Sequence, residues 1–318
     1  LLESAVIDSF QDRLEPALER IEQCHRLAVQ AGDRSLAQRA LLNSAVVQQS
    51  NGFPLAGVIT LLEQVAEETR RSGAYGNLAF VLNNLGSAYH NAGRFEDVLA
   101  LADENEVAAA RAGNPHMVGS IHLHRAEAYL SLGRRADAAE ALDQAKRAWT
   151  DDPQGVESLA ILLAALRFSD DPDAARATIR EAADAADTAD AAKNVARRTA
   201  RLAYRTGDHR DLQDALARHR GATDRPGPAR SLERRWLESL VEVDLVGLAT
   251  LASEMEELGY VRIALELRAD EALMATRAGL EEDLTAALLE RCAALGFHPW
   301  LGSLPETRWI ATEVVSPA

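Results

Sequence analysis

His122 and His124 are the first side chains here that invite a chemical reading, because paired imidazoles hold metal ions. Two residues apart on a helix, they point about 200° away from each other and cannot chelate one ion. His116 precedes them in an expected loop, and the chain has only Cys24 and Cys292, so no metal site is expected. Cys24 and His25 are adjacent and diverge on a helix, whereas a thiolate–imidazole pair needs facing side chains. Asp170, Asp171 and Asp173 lack the ligand series and glycine of a calcium loop; they are expected to cap the next helix. Glu67-Glu68 and Glu256-Glu257 read as solvated helix faces. No phosphate-cradling GxxxxGK[ST] loop and no nucleophile elbow is present. The expectation is therefore no enzyme and no cofactor.

A basic stripe is more specific. Lys193, Arg197, Arg201 and Arg205 stand four apart, with Arg198 beside them. Residues 193 to 235 hold twelve Lys/Arg and five Asp/Glu, a local +7, whereas 236 to 318 hold five and fifteen, a local −10. Guanidinium forks suit carboxylates and phosphates. The stripe either receives an acidic peptide or anionic small ligand, or pairs with nearby acidic residues such as Asp184, Asp187 and Asp190.

The elements that must position these residues repeat. Asn83 to Phe95 and His124 to Arg135 carry small residues at Gly86 and Ala126, tyrosines at Tyr89 and Tyr129, and glycines at Gly93 and Gly133 in one frame. Asn43 to Gly52 fits the same frame upstream. Downstream, turns are expected at Asp170-Asp171-Pro172, Gly207-Asp208, faintly near Asp244, and at Ala278-Gly279. A glycine just past a helix takes the left-handed conformation that satisfies the last carbonyls, and Asp171 before Pro172 is a cap followed by a first-turn proline. Phe95, Val98, Leu99 and Ala102 share one helical face, as do Ala138, Ala139, Leu142 and Ala145. Each unit is a helix pair that cannot bury its face alone, so neighbours must stack.

Asn83 to Phe95 resembles a tetratricopeptide repeat, whose small residue, aromatic and glycine fall on Gly86, Tyr89 and Gly93; Ala126, Tyr129 and Gly133 give a second copy. The asparagine before Leu85-Gly86 and the long spacing resemble the variant of kinesin light chains. They also resemble the repeat regions of large bacterial signalling proteins, namely LuxR-type activators similar to the maltose regulator, antibiotic-pathway activators and related STAND-type ATPases. The resemblance implies an all-α, right-handed superhelix of about seven helical hairpins. It also implies that first helices line a concave groove. Counting back from each turn puts Asn43, Asn84, Ser87, His90, Asn91, His124 and Glu127 on that face early, and Arg197, Arg198, Arg201 and Arg205 late. Asn84 resembles the asparagine that clamps a peptide main chain; alternatively it bonds a neighbouring helix.

The divisions expected are a partial repeat over 1–33, repeats over 34–220, a Gly/Pro loop or hinge over 221–230, further repeats over 231–295 and a tail over 296–318. Leu14 to Asp33 reads as a second helix without a full first one, and the tail is expected to pack back through Trp300 and Trp309. The chain starts at Leu1, which suggests excision from a longer polypeptide or processing. No apolar run reaches the roughly 20 residues of a membrane span, and no signal peptide is evident. The formal charge of −15 argues against nucleic acid or anionic membrane as partners. Two distant cysteines fit a reducing compartment, hence the cytoplasm. A composition with two lysines, Lys146 and Lys193, fits a bacterial source. We expect a non-catalytic sensor module of a bacterial signalling or transcriptional regulator, its ATPase or DNA-binding parts lying outside this chain. Its ligand would be a protein or peptide partner or an anionic small molecule. The alternative is a passive scaffold that holds an extended or acidic peptide.

Overall fold

The computed structural model describes residues 1–10, 13–149, 156–168, 170–185, 196, 199–205, 207–221, 228–280 and 284–297. Among them there are sixteen helices and no strand. In order these are α1 (Leu2–Phe10), α2 (Leu14–Ala31), α3 (Arg34–Ser50), α4 (Leu55–Ser72), α5 (Tyr75–Asn91), α6 (Phe95–Ala112), α7 (Pro115–Ser131) and α8 (Arg135–Ala148). Then come α9 (Val156–Phe168), α10 (Pro172–Ala185), α11 (residues 199–205), α12 (His209–Gly221), α13 (Pro228–Glu242), α14 (Leu245–Glu257), α15 (Val261–Arg277) and α16 (Leu284–Leu295). Each of the first nine helices packs on its successor, as do α12 through α15. Odd-numbered helices also touch in sequence, α1 on α3, α3 on α5, α5 on α7 and α7 on α9.

The turns explain the pairing. After α5, Gly93 takes φ 77°, and the Arg94 amide reaches back to the Tyr89 carbonyl at 2.9 Å. That six-residue closure recurs from Arg134 to Tyr129 at 2.8 Å and from Asp208 to Ala203 at 2.8 Å. The faint turn near Asp244 is the same closure without a glycine: Val243 takes φ 57°, and Asp244 bonds back to the Ser239 carbonyl. A β-branched residue in that region is strained, so the surrounding packing must hold it there. Aspartates then start the next helices. Asp171 Oδ1 accepts from the Ala174 amide at 2.9 Å, Asp208 Oδ1 from Asp211 at 3.0 Å and Asp244 Oδ1 from Gly247 at 2.9 Å.

The short helix α1, of nine residues, precedes and packs on α2. One expectation is corrected in α7. His116 lies in the first turn of α7, not in a loop. Trp300 and Trp309 lie outside the described residues. Phe297, the last described residue, packs back: it is fully buried, and its ring stacks on Phe95 at 5.6 Å.

The largest core cluster joins residues far apart in sequence, from Ala45 to Phe297. The last helices close on the early turns. The Leu55 amide donates to the Leu258 carbonyl at 2.8 Å, and the Tyr260 hydroxyl lies 3.1 Å from the carbonyl oxygens of both Gln49 and Phe53.

Candidate functional site

Two residues of the expected basic stripe, Arg201 and Arg205, do not face an open groove. Arg201 and Arg205 are one turn apart on α11, and each is only 2% exposed. Across from them, Glu266 and Asp270 are one turn apart on α15. Arg201 Nη1 donates to Glu266 Oε2 at 2.8 Å, and its Nε lies 3.3 Å from Asp270 Oδ2. Arg205 Nη2 donates to Asp270 Oδ1 at 2.8 Å. The pairs advance together along both helices, so α11 and α15 run in the same direction here. Trp236 of α13 completes the cluster: its indole N–H donates to Asp270 Oδ2 at 3.1 Å, and the Arg201 guanidinium sits 4.6 Å from the ring centroid. Arg277, two turns beyond Asp270, donates to the Tyr204 and Arg205 carbonyls at 2.6 and 2.9 Å. Burial dominates Arg205 and pulls its pKa down, against the pull of Asp270. The carboxylates that these two arginines meet among the described residues come from α15. Arg197 and Arg198 lie outside the described residues.

The cluster continues to the early helices through Arg262. This residue, 8% exposed, donates from Nη1 to Glu266 Oε1 at 2.7 Å and from Nη2 to Asn91 Oδ1 at 2.9 Å. Asn91 is thus one of the predicted groove residues, and its partner is the chain's own α15.

The other early residues bridge helices or their own turns. Gln49 donates to Ser87 Oγ at 3.1 Å, linking α3 to α5. His90 Nε2 sits 3.0 Å from Ser131 Oγ, linking α5 to α7, and its Nδ1 lies 3.9 Å from Glu127. Burial first, and the Arg262 charge second, push the His90 pKa down to about 3, so the ring is neutral. His124 is likewise lowered by burial, and its Nδ1 lies 3.3 Å from where a Cβ on Gly86 would stand. The Asn84 amide donates to the Phe80 carbonyl one turn back at 2.8 Å. Asn43 does the same to Arg39 at 2.8 Å.

Beside Arg262 lies a cavity of about 260 Å³. Its walls come from the α3–α4 turn, the end of α5, and helices α13, α14 and α15. Trp236, Leu232, Leu251, Met255, Ile263 and Leu267 make it mainly apolar, and Asn91, Arg262, Gln49 and Glu233 supply polar edges. Among the described residues no cluster of three metal-ligating side chains occurs. No helix of the described residues is long and apolar enough to cross a membrane. No protein-family model and no curated protein matches this chain.

Sequence reasoning missed Arg262, Glu266, Asp270 and Trp236. A signal existed: Arg262, Glu266 and Asp270 recur every four residues along one helix, and the two carboxylates are complementary in sign and period to Arg201 and Arg205.

Proposed function

We propose that the chain is a non-catalytic, tetratricopeptide-type sensor module of a larger bacterial signalling or transcriptional regulatory protein, working in the cytoplasm. On this reading the stacked helix pairs wind as a right-handed superhelix, and first helices line its concave side. The observation that carries the reading is the charged seam of Arg201 and Arg205 against Glu266 and Asp270, two of them groove residues by their place in the repeat. Such a groove is closed by the chain's own α15. A buried ionic seam adds little net stability over an apolar one, because desolvation offsets most of the attraction. It does fix register, and it can be re-paired by a competing anion or acidic partner. A ligand that reseats α15 would alter how the helix pairs stack, and attached domains would sense that change.

The passive-scaffold reading makes a different demand: an acidic peptide must displace Glu266 and Asp270 or bind elsewhere. Hydrogen exchange of the chain with and without a poly-glutamate peptide separates the two. The sensor reading expects α15 amides to lose protection as the peptide binds. Binding that leaves α15 unchanged would support the scaffold.

A further inference from the structure

In the cavity beside Arg262 an apolar wall, a buried cation and the α15 seam meet. Its volume of about 260 Å³ lies just below the usual range for small-molecule pockets and equals the space of about nine water molecules. Five apolar side chains and the Trp236 ring offer water few partners on most of its surface. Water is retained where it makes several hydrogen bonds, and an apolar body gains most where it cannot.

One edge is different in kind. Arg262 uses Nη1 on Glu266 and Nη2 on Asn91, yet its Nε–H is buried with no acceptor among the described residues. A buried donor on a charged group is costly to leave unmet. Arg262 lines the cavity at this edge, and an acceptor oxygen there would meet the guanidinium, a charged oxygen best. The same Arg262 holds Asn91 of α5 and Glu266 of α15 together, so whatever engages it acts on the joint between early and late helices.

We propose that this cavity is a binding site for a compact hydrophobic carboxylate, an aromatic or branched apolar body with one carboxyl group directed at Arg262. Trp236 and Ile263 flank the body, and Arg262 receives the charge. The proposal rests on the sensor reading only for what binding would control; occupancy of the cavity can be measured without it.

The test is calorimetric titration of the full chain with 2-naphthoate, its uncharged isostere 2-naphthamide, and acetate. The site predicts saturable binding of 2-naphthoate, binding of the amide weaker by about tenfold or more, and none of acetate. Two half-buried wall residues allow the cavity to be filled: Leu232→Trp and Ile263→Phe each should abolish 2-naphthoate binding while the helical spectrum is unchanged. Arg262→Gln should erase the preference for the acid over the amide. Absence of saturation by 2-naphthoate below about 1 mM, or unchanged affinity in both filled variants, overturns the site. Equal affinity for acid and amide in the wild type overturns the carboxylate assignment. Failure here with α15 still responding to poly-glutamate would leave the sensor reading standing, so the two outcomes are distinguishable.

Discussion

Arg205 on α11 donates to Asp270 on α15 at 2.8 Å, with the arginine side chain 2% exposed and the aspartate fully buried. Two segments sixty-five residues apart in sequence are thereby locked in one register, alongside the Arg201–Glu266 pair. Removing one member of a buried pair strands the other. Asp270→Ala leaves two guanidiniums and the Trp236 N–H without their shared acceptor, and should cost about 3–5 kcal/mol in urea unfolding. Arg205→Met combined with Asp270→Leu should cost clearly less than Asp270→Ala alone. A double variant as unstable as the single would show that the pair contributes net stability.

The helical class and the pairing of helices were legible because the glycine and aspartate turns and the apolar faces are local signals. Asp171 ahead of Pro172 announced its helix, and the cap bond to Ala174 is there. The site was legible only in part. Counting back from Gly93 found Asn91 and His90, and both take part in contacts between elements. The same counting could not reveal that α15 would supply their neighbours, since that contact depends on how turns accumulate over six helix pairs. Asn43 and Asn84 each bond the carbonyl one turn back, as a helical asparagine can, a local contact that the spacing of the repeat does not announce. The Val243 turn was faint because packing, not glycine, imposes its backbone.

Acid should destabilise the protein through His90. Its folded pKa, about 3, lies below the ordinary value of 6.5, so the unfolded chain binds the proton first. The stability this depression provides is present above about pH 6.5 and is lost as pH falls toward 3. His122 and His124 are lowered too and act in the same sense. His90→Gln keeps a polar group near Ser131 and should flatten the loss of stability on acidification. An unchanged slope in chemical unfolding across that window would contradict the assignment.

Gly119 is required by Trp149. A Cβ at 119 would stand 2.3 Å from the indole, which is itself fixed by donating Nε1–H to the His116 carbonyl at 3.0 Å. Gly119→Ala gains up to about 1 kcal/mol of helix propensity but forces the indole to move, so a net loss of about 1–3 kcal/mol is expected. Gly57→Ala, on an exposed helix position with open space around it, should be neutral or stabilising. Thermal melts of the two variants give the comparison.

Cys292 on α16 should resist thiol reagents in the folded state. It is fully buried, and burial pushes its thiol up to about 12, so almost no thiolate exists near neutrality. Labelling by a disulfide reagent should therefore track opening of the helix. Immediate labelling in native buffer would mean that α16 is not seated against α15.

The charges of α15 hold it against the early and late helices. Hydrogen exchange over residues 261 to 277 reads this directly. The wild type should show α15 among the slowest-exchanging segments, and Arg201→Glu with Arg205→Glu should lower protection there while α5 and α6 keep theirs. Fast exchange of α15 in the wild type, or protection undiminished by the charge reversal, would contradict it.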